Sequence, residues 1–176
     1  MKLTDTAIPD VKIIEPQIFG DQRGFFFESF RASWLEDQSF VQDNHSKSIQ
    51  FTLRGLHYQR KNPQGKLIRV LQGRVLDVAV DLRKSSPSLG KHVAVELNDE
   101  NHHMLWVPPG FAHGFVVLSE TAEFFYKCTN YYSPVDERAI RWDDPELGID
   151  WQLSSEPILS EKDRIASSFA EAELFE

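Results

Sequence analysis

RVLDVAVDLR, residues 74–83, sets Leu76, Val78, Val80 and Leu82 against Asp77, Ala79 and Asp81. Apolar residues at every second position have the period of a half-buried strand, because successive side chains point to opposite faces. KHVAVELN (91–98) repeats the pattern with Val93, Val95 and Leu97. Seven further strand-like runs surround these two: GFFFESF (24–30), FVQDNHSKSI (40–49), TLRGLHYQ (52–59), KLIRVLQG (66–73), HMLWVPP (103–109), AHGFVVLS (112–119) and AEFFYKCTNYY (122–132). Turn material separates them, in GDQRG, NPQG, KSSPSLG, NDEN and PPG. Many short strands at this spacing predict an all-β fold, an antiparallel sandwich or barrel.

Helix is expected only at the margins: RASWLEDQS (31–39), a turn around DDPELG (143–148), and the tail, about 160–172, with Ser160 as N-cap and Asp163 in the first turn. With no repeat or linker, the 176 residues are expected to form one domain (1–176). A 41% hydrophobic and 26% charged composition disfavours disorder. The first residues lack the apolar core of a signal peptide, and no run approaches the roughly 20 apolar residues of a membrane helix. Cys128 is the single cysteine, which excludes an intrachain disulfide and a thiolate cluster and fits a reducing cytoplasm. A formal charge of −8 argues against nucleic acid as a partner. An anionic ligand then requires that the few basic residues gather locally.

Three clusters hold polar residues beyond what strands need. LRGLHYQRKNPQGK (53–66) carries Arg54, His57 and Lys66. Arg54 and His57 are three apart and would face opposite sides of a regular strand, unless Gly55 introduces a bulge that turns both inward. The alternative is a surface hairpin with scattered basic residues. WVPPGFAHGFVVLS (106–119) places His113 in an apolar run, where a lone histidine is more often a hydrogen-bonded core residue than a catalyst. These two clusters look like the paired motifs of the cupin jelly roll. Metal-binding cupins carry a second histidine two residues after the first, but here the motif reads His57-Tyr58-Gln59. His57 and His113 alone make a poor metal site, so no metal is expected. His102-His103 reads as a solvated loop pair. In EFFYKCTNYYS (123–133), Tyr126 and Tyr132 have the same parity and can share one face, though strands also favour tyrosine for packing. The three consecutive phenylalanines of FGDQRGFFFESF (19–30), Phe25, Phe26 and Phe27, read either as core or as a protruding arm.

Taken in order, GDQRGFFFESF, FVQDNHSKS, LRGLHYQ, QGKLIRVLQGRVLDVAVDLRKSSPSLGKH, WVPPGFAHGFVVLSE, AEFFYKCTNYYSP and LSEKD resemble the dTDP-4-dehydrorhamnose 3,5-epimerase family over nearly the whole chain. The resemblance implies a cupin-like jelly roll and a homodimer with shared active sites, whose interface uses the N-terminal arm (about 1–40). It implies inversion at C3 and C5 of dTDP-4-dehydro-6-deoxy-D-glucose without a cofactor. The ketone at C4 acidifies both protons, and inversion needs a base on one face, an acid on the other and charge stabilisation at the enolate oxygen.

By the same resemblance His57 matches the base, Asp163 its carboxylate partner, Lys66 the cation at the enolate oxygen and Tyr126 the acid. His113 and Arg54 match residues around the sugar and diphosphate. Gln42, Asp43, Asn44, Glu137 and Lys162 match nucleotide-binding positions, and Tyr132 an aromatic beside the thymine. Arg23 and Glu28, with Phe19 and Phe26, match residues that reach the neighbouring subunit's ligand. The family's relatives leave two alternatives, an epimerase of one centre only and a 3,4-ketoisomerase. Outside that chemistry stands a non-catalytic sugar-nucleotide binding module, which has no need of a base, an acid and an orienting carboxylate together.

Overall fold

The computed structural model describes residues 1–176. Thirteen strands run in chain order: β1 (Lys2–Asp5), β2 (Lys12–Glu15), β3 (Phe19–Asp21), β4 (Gly24–Phe26), β5 (Gln42–Ile49), β6 (Leu53–Gln59), β7 (Lys66–Gln72), β8 (Arg74–Asp81), β9 (His92–Asn98), β10 (Met104–Val107), β11 (Phe111–Val117), β12 (Thr121–Cys128) and β13 (Glu137–Ala139). Six of them form one sheet in the order β1-β2-β10-β7-β12-β5, and five form a second, β13-β6-β11-β8-β9. The short hairpin β3-β4 stands apart from both. Every strand pairing is antiparallel, the jelly-roll pattern expected from the many short runs.

The two sheets pack face to face through Ile68, Val70, Leu105 and Phe124 of the first and Val75, Ala79, Val93, Phe111 and Phe115 of the second. Phe115 and Phe124 stack across this interior with ring centroids 4.0 Å apart. Each sheet also has a covered outer face. Leu53, Leu56, Leu76, Val78, Val80, Ala112 and Val116 pack under Ile140, Leu147, Trp151, Phe169 and Phe175 of the C-terminal segment. Ile14, Leu67, Met104 and Trp106 pack under Phe30, Trp34, Leu35 and Phe40 of the N-terminal segment.

This third layer corrects the reading of residues 74–83 as half-buried. Every residue of β8 after Arg74 is buried, including Asp77 and Asp81. The apolar face meets the C-terminal segment, and the Asp77 face meets the interior. Asp81 is satisfied there by Arg83, Ser86 and Ser88, which hold its carboxyl at about 2 despite its burial.

The expected tail helix over about 160–172 is also corrected. One turn, α1 (Glu161–Arg164), begins at Ser160, and a 3₁₀ turn follows at Phe169–Glu171. Between them Ser167 pairs with Ile140 and accepts the Arg141 amide hydrogen, and farther on Phe175 pairs with Arg83. Backbone pairing with the segments just after β13 and β8, at Ile140 and Arg83, overrides helical preference in a tail this short. RASWLEDQS likewise gives only a 3₁₀ turn, Ala32–Trp34, because Trp34 and Leu35 are drawn onto the outer face. Residues 143–148 form turns rather than helix.

Candidate active site

A cavity of about 910 Å³ opens between the sheets, large enough for a nucleotide-sized ligand. Arg54, His57 and His113 reach it from the five-stranded sheet; Gln42, Asn44, Lys66 and Tyr126 reach it from the six-stranded one. Tyr132, Glu137, Lys162 and Asp163 complete the rim.

The Gly55 irregularity decides whether the first cluster can work. On β11 His113 pairs with His57 and Phe115 with Arg54, so two residue steps on one strand face three on the other. The extra residue brings Arg54 and His57 to the same face, as a bulge must. Gly55 sits at φ +133°, and a Cβ there would lie 2.5 Å from the Gly114 Cα. Any side chain at either glycine would push the strands apart.

His57 Nε2 lies 2.6 Å from Asp163 Oδ1, and the Asp163 side chain is 3% exposed. Burial alone would raise the Asp163 carboxyl, but hydrogen bonds from His57, the Ser160 hydroxyl and the Gly55 amide outweigh it and hold the group below the usual carboxylate range. An ionised carboxylate only accepts, so Nε2 carries the hydrogen and Nδ1 is the nitrogen free to take a proton. Burial pushes Tyr126 up to about 12, so its hydroxyl is protonated at neutral pH and available as a donor. Lys66 is pulled down by burial, with Cys128 and Asp77 opposing that fall. A desolvated ammonium is poorly stabilised alone and therefore well placed to meet a developing negative oxygen.

Asp77 was missed by the sequence reading. It is fully buried and accepts from His113 Nε2 at 2.9 and 3.0 Å, giving a second histidine–aspartate pair beside the first. The available signal was a carboxylate in the middle of an apolar strand, which must have a partner if it points inward. Gln59, at the position of the absent second histidine, is buried and fully used. It donates to the carbonyls of Asn62 and Tyr131 and accepts the Ser133 amide hydrogen, so it holds the turn that carries Tyr132. Gln42 Oε1 takes the Tyr132 amide hydrogen at 2.9 Å from the other side. The side chains offer no group of three histidine, cysteine or carboxylate ligands arranged around a metal-sized space.

At the rim, Glu137 accepts from the Tyr132 hydroxyl at 3.0 Å and pairs with Lys162 at 2.8 Å. Arg54 Nη2 donates to Ser48 at 3.1 Å.

Not every expected residue lies on this cavity. Asp43 has the opposite parity to Gln42 and Asn44 and points to the outer face, where it binds Lys127 at 2.8 Å. Phe19, Arg23 and Phe26 are exposed on the β3-β4 hairpin, Arg23 pairs with Asp21, and Glu28 pairs with Arg31. These four do not line the cavity of their own chain. His102 is not simply solvated; its ring packs 4.7 Å from Phe25 and 5.1 Å from Phe27. Cys128 is a buried free thiol.

The dTDP-4-dehydrorhamnose 3,5-epimerase family model matches residues 5–171. A dTDP-4-dehydrorhamnose 3,5-epimerase of Pseudomonas aeruginosa is 56% identical, covering 99% of both chains. One from Salmonella typhimurium is also 56% identical, covering 100% of both. Among solved structures, the dTDP-6-deoxy-D-glucose-3,5-epimerase of Legionella pneumophila in complex with dTDP-4-keto-L-rhamnose superposes with a TM-score of 0.95 at 50% identity, over 98% of this chain and 94% of that one. A jelly roll, a cavity with a histidine–aspartate pair facing a tyrosine, and full-length similarity agree: this chain belongs to the dTDP-4-dehydrorhamnose 3,5-epimerase family.

Proposed function

We infer that the protein is an isomerase that inverts C3 and C5 of dTDP-4-dehydro-6-deoxy-D-glucose, giving dTDP-4-dehydro-L-rhamnose for dTDP-L-rhamnose synthesis. The observation that carries the reading is the placement of proton acceptor and donor. His57, paired to Asp163 at 2.6 Å, and Tyr126 stand on opposing sheets and line one cavity.

In this reading His57 Nδ1 removes the proton next to the C4 ketone. The electron pair of the broken C–H bond moves into the carbonyl, and Lys66 stabilises the resulting enolate oxygen. The imidazolium is stabilised by Asp163 as it forms. Tyr126 delivers a proton to the opposite face of the same carbon, and solvent exchange restores both groups. A phenol held at about 12 is a weak acid, yet far stronger than the carbon acid it regenerates. Because a neighbouring ketone supplies the electron sink, the cycle calls for no redox cofactor and no metal. Arg54 and Lys162 supply positive charge for the diphosphate, and Tyr132 a ring for the thymine, with Gln42, Asn44 and Glu137 around the nucleotide.

The assembly proposed is a homodimer with shared active sites. Phe19, Phe25 and Phe26 are 59%, 62% and 65% exposed on the hairpin, an apolar surface that a symmetric partner would cover. Arg23 and Glu28 would then serve the neighbouring cavity. The localisation proposed is the cytoplasm, with neither nucleic acid nor membrane as a partner; no helix is long and apolar enough to cross a membrane.

The test is NMR of the keto-sugar nucleotide incubated with the protein in deuterated water. Deuterium at both C3 and C5 with formation of the L-sugar is expected. Incorporation at one centre only would make the chain a single-centre epimerase.

A further inference from the structure

Asp163 is gripped at both carboxylate oxygens. Oδ1 receives His57 Nε2 at 2.6 Å and the Gly55 amide hydrogen at 3.4 Å. Oδ2 receives the Ser160 hydroxyl at 2.6 Å, and the Ser160 oxygen in turn accepts the Asp163 amide hydrogen at 3.3 Å. Ser160 thus does two things at once: it caps α1 and donates to the side chain three residues on. The second task is not required by the first, since an N-cap needs only an acceptor.

The consequence for His57 follows from the torsion involved. Rotation of an aspartate carboxylate about its last bond is soft, with broad minima. A single hydrogen bond on one oxygen leaves the plane free to swing; a donor on each oxygen fixes it. With Oδ2 anchored, Oδ1 stays in line with His57 Nε2, and the ring keeps its hydrogen on that nitrogen. The lone pair on Nδ1 is then always the one presented to the cavity.

We propose that Ser160 is a positioning residue for proton transfer, the third member of a Ser160–Asp163–His57 hydrogen-bonded chain. The catalytic consequence rests on His57 being the base, as read above. Ser160 lines the cavity and does not itself move the substrate proton.

Two substitutions separate the chain from the cap. Ser160→Gly removes the hydroxyl that donates to Oδ2 and puts in its place a residue tolerated at an N-cap, so α1 is little disturbed. Ser160→Thr keeps both functions. The experiment records, in the full-length protein, steady-state turnover of the dTDP-4-keto-6-deoxysugar and the ¹⁵N shifts of the His57 ring without ligand. For Ser160→Gly the expected result is a fall of about 10-fold in kcat with KM changed less than about twofold, the pattern of a misaligned catalytic group. The His57 nitrogens should move from a single-tautomer pattern toward an averaged one, and Ser160→Thr should restore both readouts.

A single-tautomer His57 in Ser160→Gly, with turnover like the parent protein, would mean that water replaces the hydroxyl and would overturn the proposal. An averaged tautomer with unchanged turnover would overturn its catalytic consequence. The base assignment fails separately: His57→Ala with retained turnover would refute it, while the ¹⁵N readout on Ser160 needs no turnover at all.

Discussion

Two histidine–aspartate pairs lie side by side in this molecule, and their difference in burial separates their duties. His57 and His113 are direct partners across β6 and β11. The His57 side chain is 22% exposed toward the cavity, and its aspartate comes from a one-turn helix at the sheet's margin. The His113 side chain is 7% exposed, and its aspartate lies at 0% within β8. Burial pushes His113 below the ordinary imidazole range and Asp77 above the ordinary carboxylate range, each toward its neutral form. A group that must gain a charge and lose it on every turnover needs a stabilised ionic state and access to solvent; the first pair has both. The second pair suits fixed hydrogen-bond geometry on the cavity floor, close to Lys66, whose charge acts on both of its members. In the proposed mechanism identical residue types thus take different roles through their surroundings, as carboxylates in polar and apolar settings do.

The largest effect expected from this contrast is at Asp163. Asp163→Asn keeps the shape but lets the ring turn its hydrogen toward the cavity, and kcat should fall by about 10³-fold or more, as for a triad histidine held in the wrong tautomer. Steady-state assays check this, and a loss under tenfold would show that the carboxylate is only a structural ion-pair partner. Next comes Tyr126→Phe. Inversion should fall on the order of 10²–10⁴-fold, while hydrogen–deuterium exchange continues because His57 returns a solvent-derived proton to the original face. Exchange lost in step with inversion would instead place Tyr126 in enolate formation.

The second pair should answer in stability before activity. Asp77→Ala leaves a buried His113 N–H without an acceptor and should cost about 2 kcal/mol in urea unfolding. Asp163→Ala should cost clearly less, because His57 reaches solvent. Equal losses would erase the distinction. The smallest expected effect is in the pH dependence of stability, where the two aspartates have opposite signs. Asp163 is lowered in the fold, so its contribution is present above its unfolded value, about 3.8, and is lost as pH falls through the folded value below that. Asp77 is raised, so stability declines as pH rises from about 3.8 through its folded value. Asp163→Asn should remove the first dependence and Asp77→Asn the second in pH-dependent denaturation curves.

The strand pattern and the three polar clusters were legible from the chain alone, because period-two alternation and turn residues are local signals. Gly55 was legible as well: a glycine between two basic residues of mismatched parity needed a reason, and the bulge supplies it. What was hidden depends on distant chain. Asp77 reads as the polar side of an amphipathic strand until the C-terminal segment is known to cover the other face, which turns the aspartate inward to a histidine 36 residues away. The tail reads as helix because its residues favour one; pairing of Ser167 with Ile140 and of Phe175 with Arg83 decides otherwise. The resemblance groups Asp43 with Gln42 and Asn44, although strand parity sends it to Lys127 on the opposite face. Phe19, Arg23 and Phe26 lie on the β3-β4 hairpin and Glu28 just after it, away from their own cavity, where a single chain's residues give no partner to read.

Of the two histidine–aspartate pairs, only the His57 pair moves a substrate proton in the proposed mechanism. This division is tested most directly by NMR of deuterium incorporation at C3 and C5 of the keto-sugar nucleotide, comparing His57→Asn with His113→Asn in deuterated water. With His57→Asn no enzyme-dependent incorporation is expected at either centre. With His113→Asn incorporation should continue at both centres, slowed by roughly 10–100-fold through loss of substrate alignment. Exchange that persists in His57→Asn and disappears in His113→Asn would contradict the division.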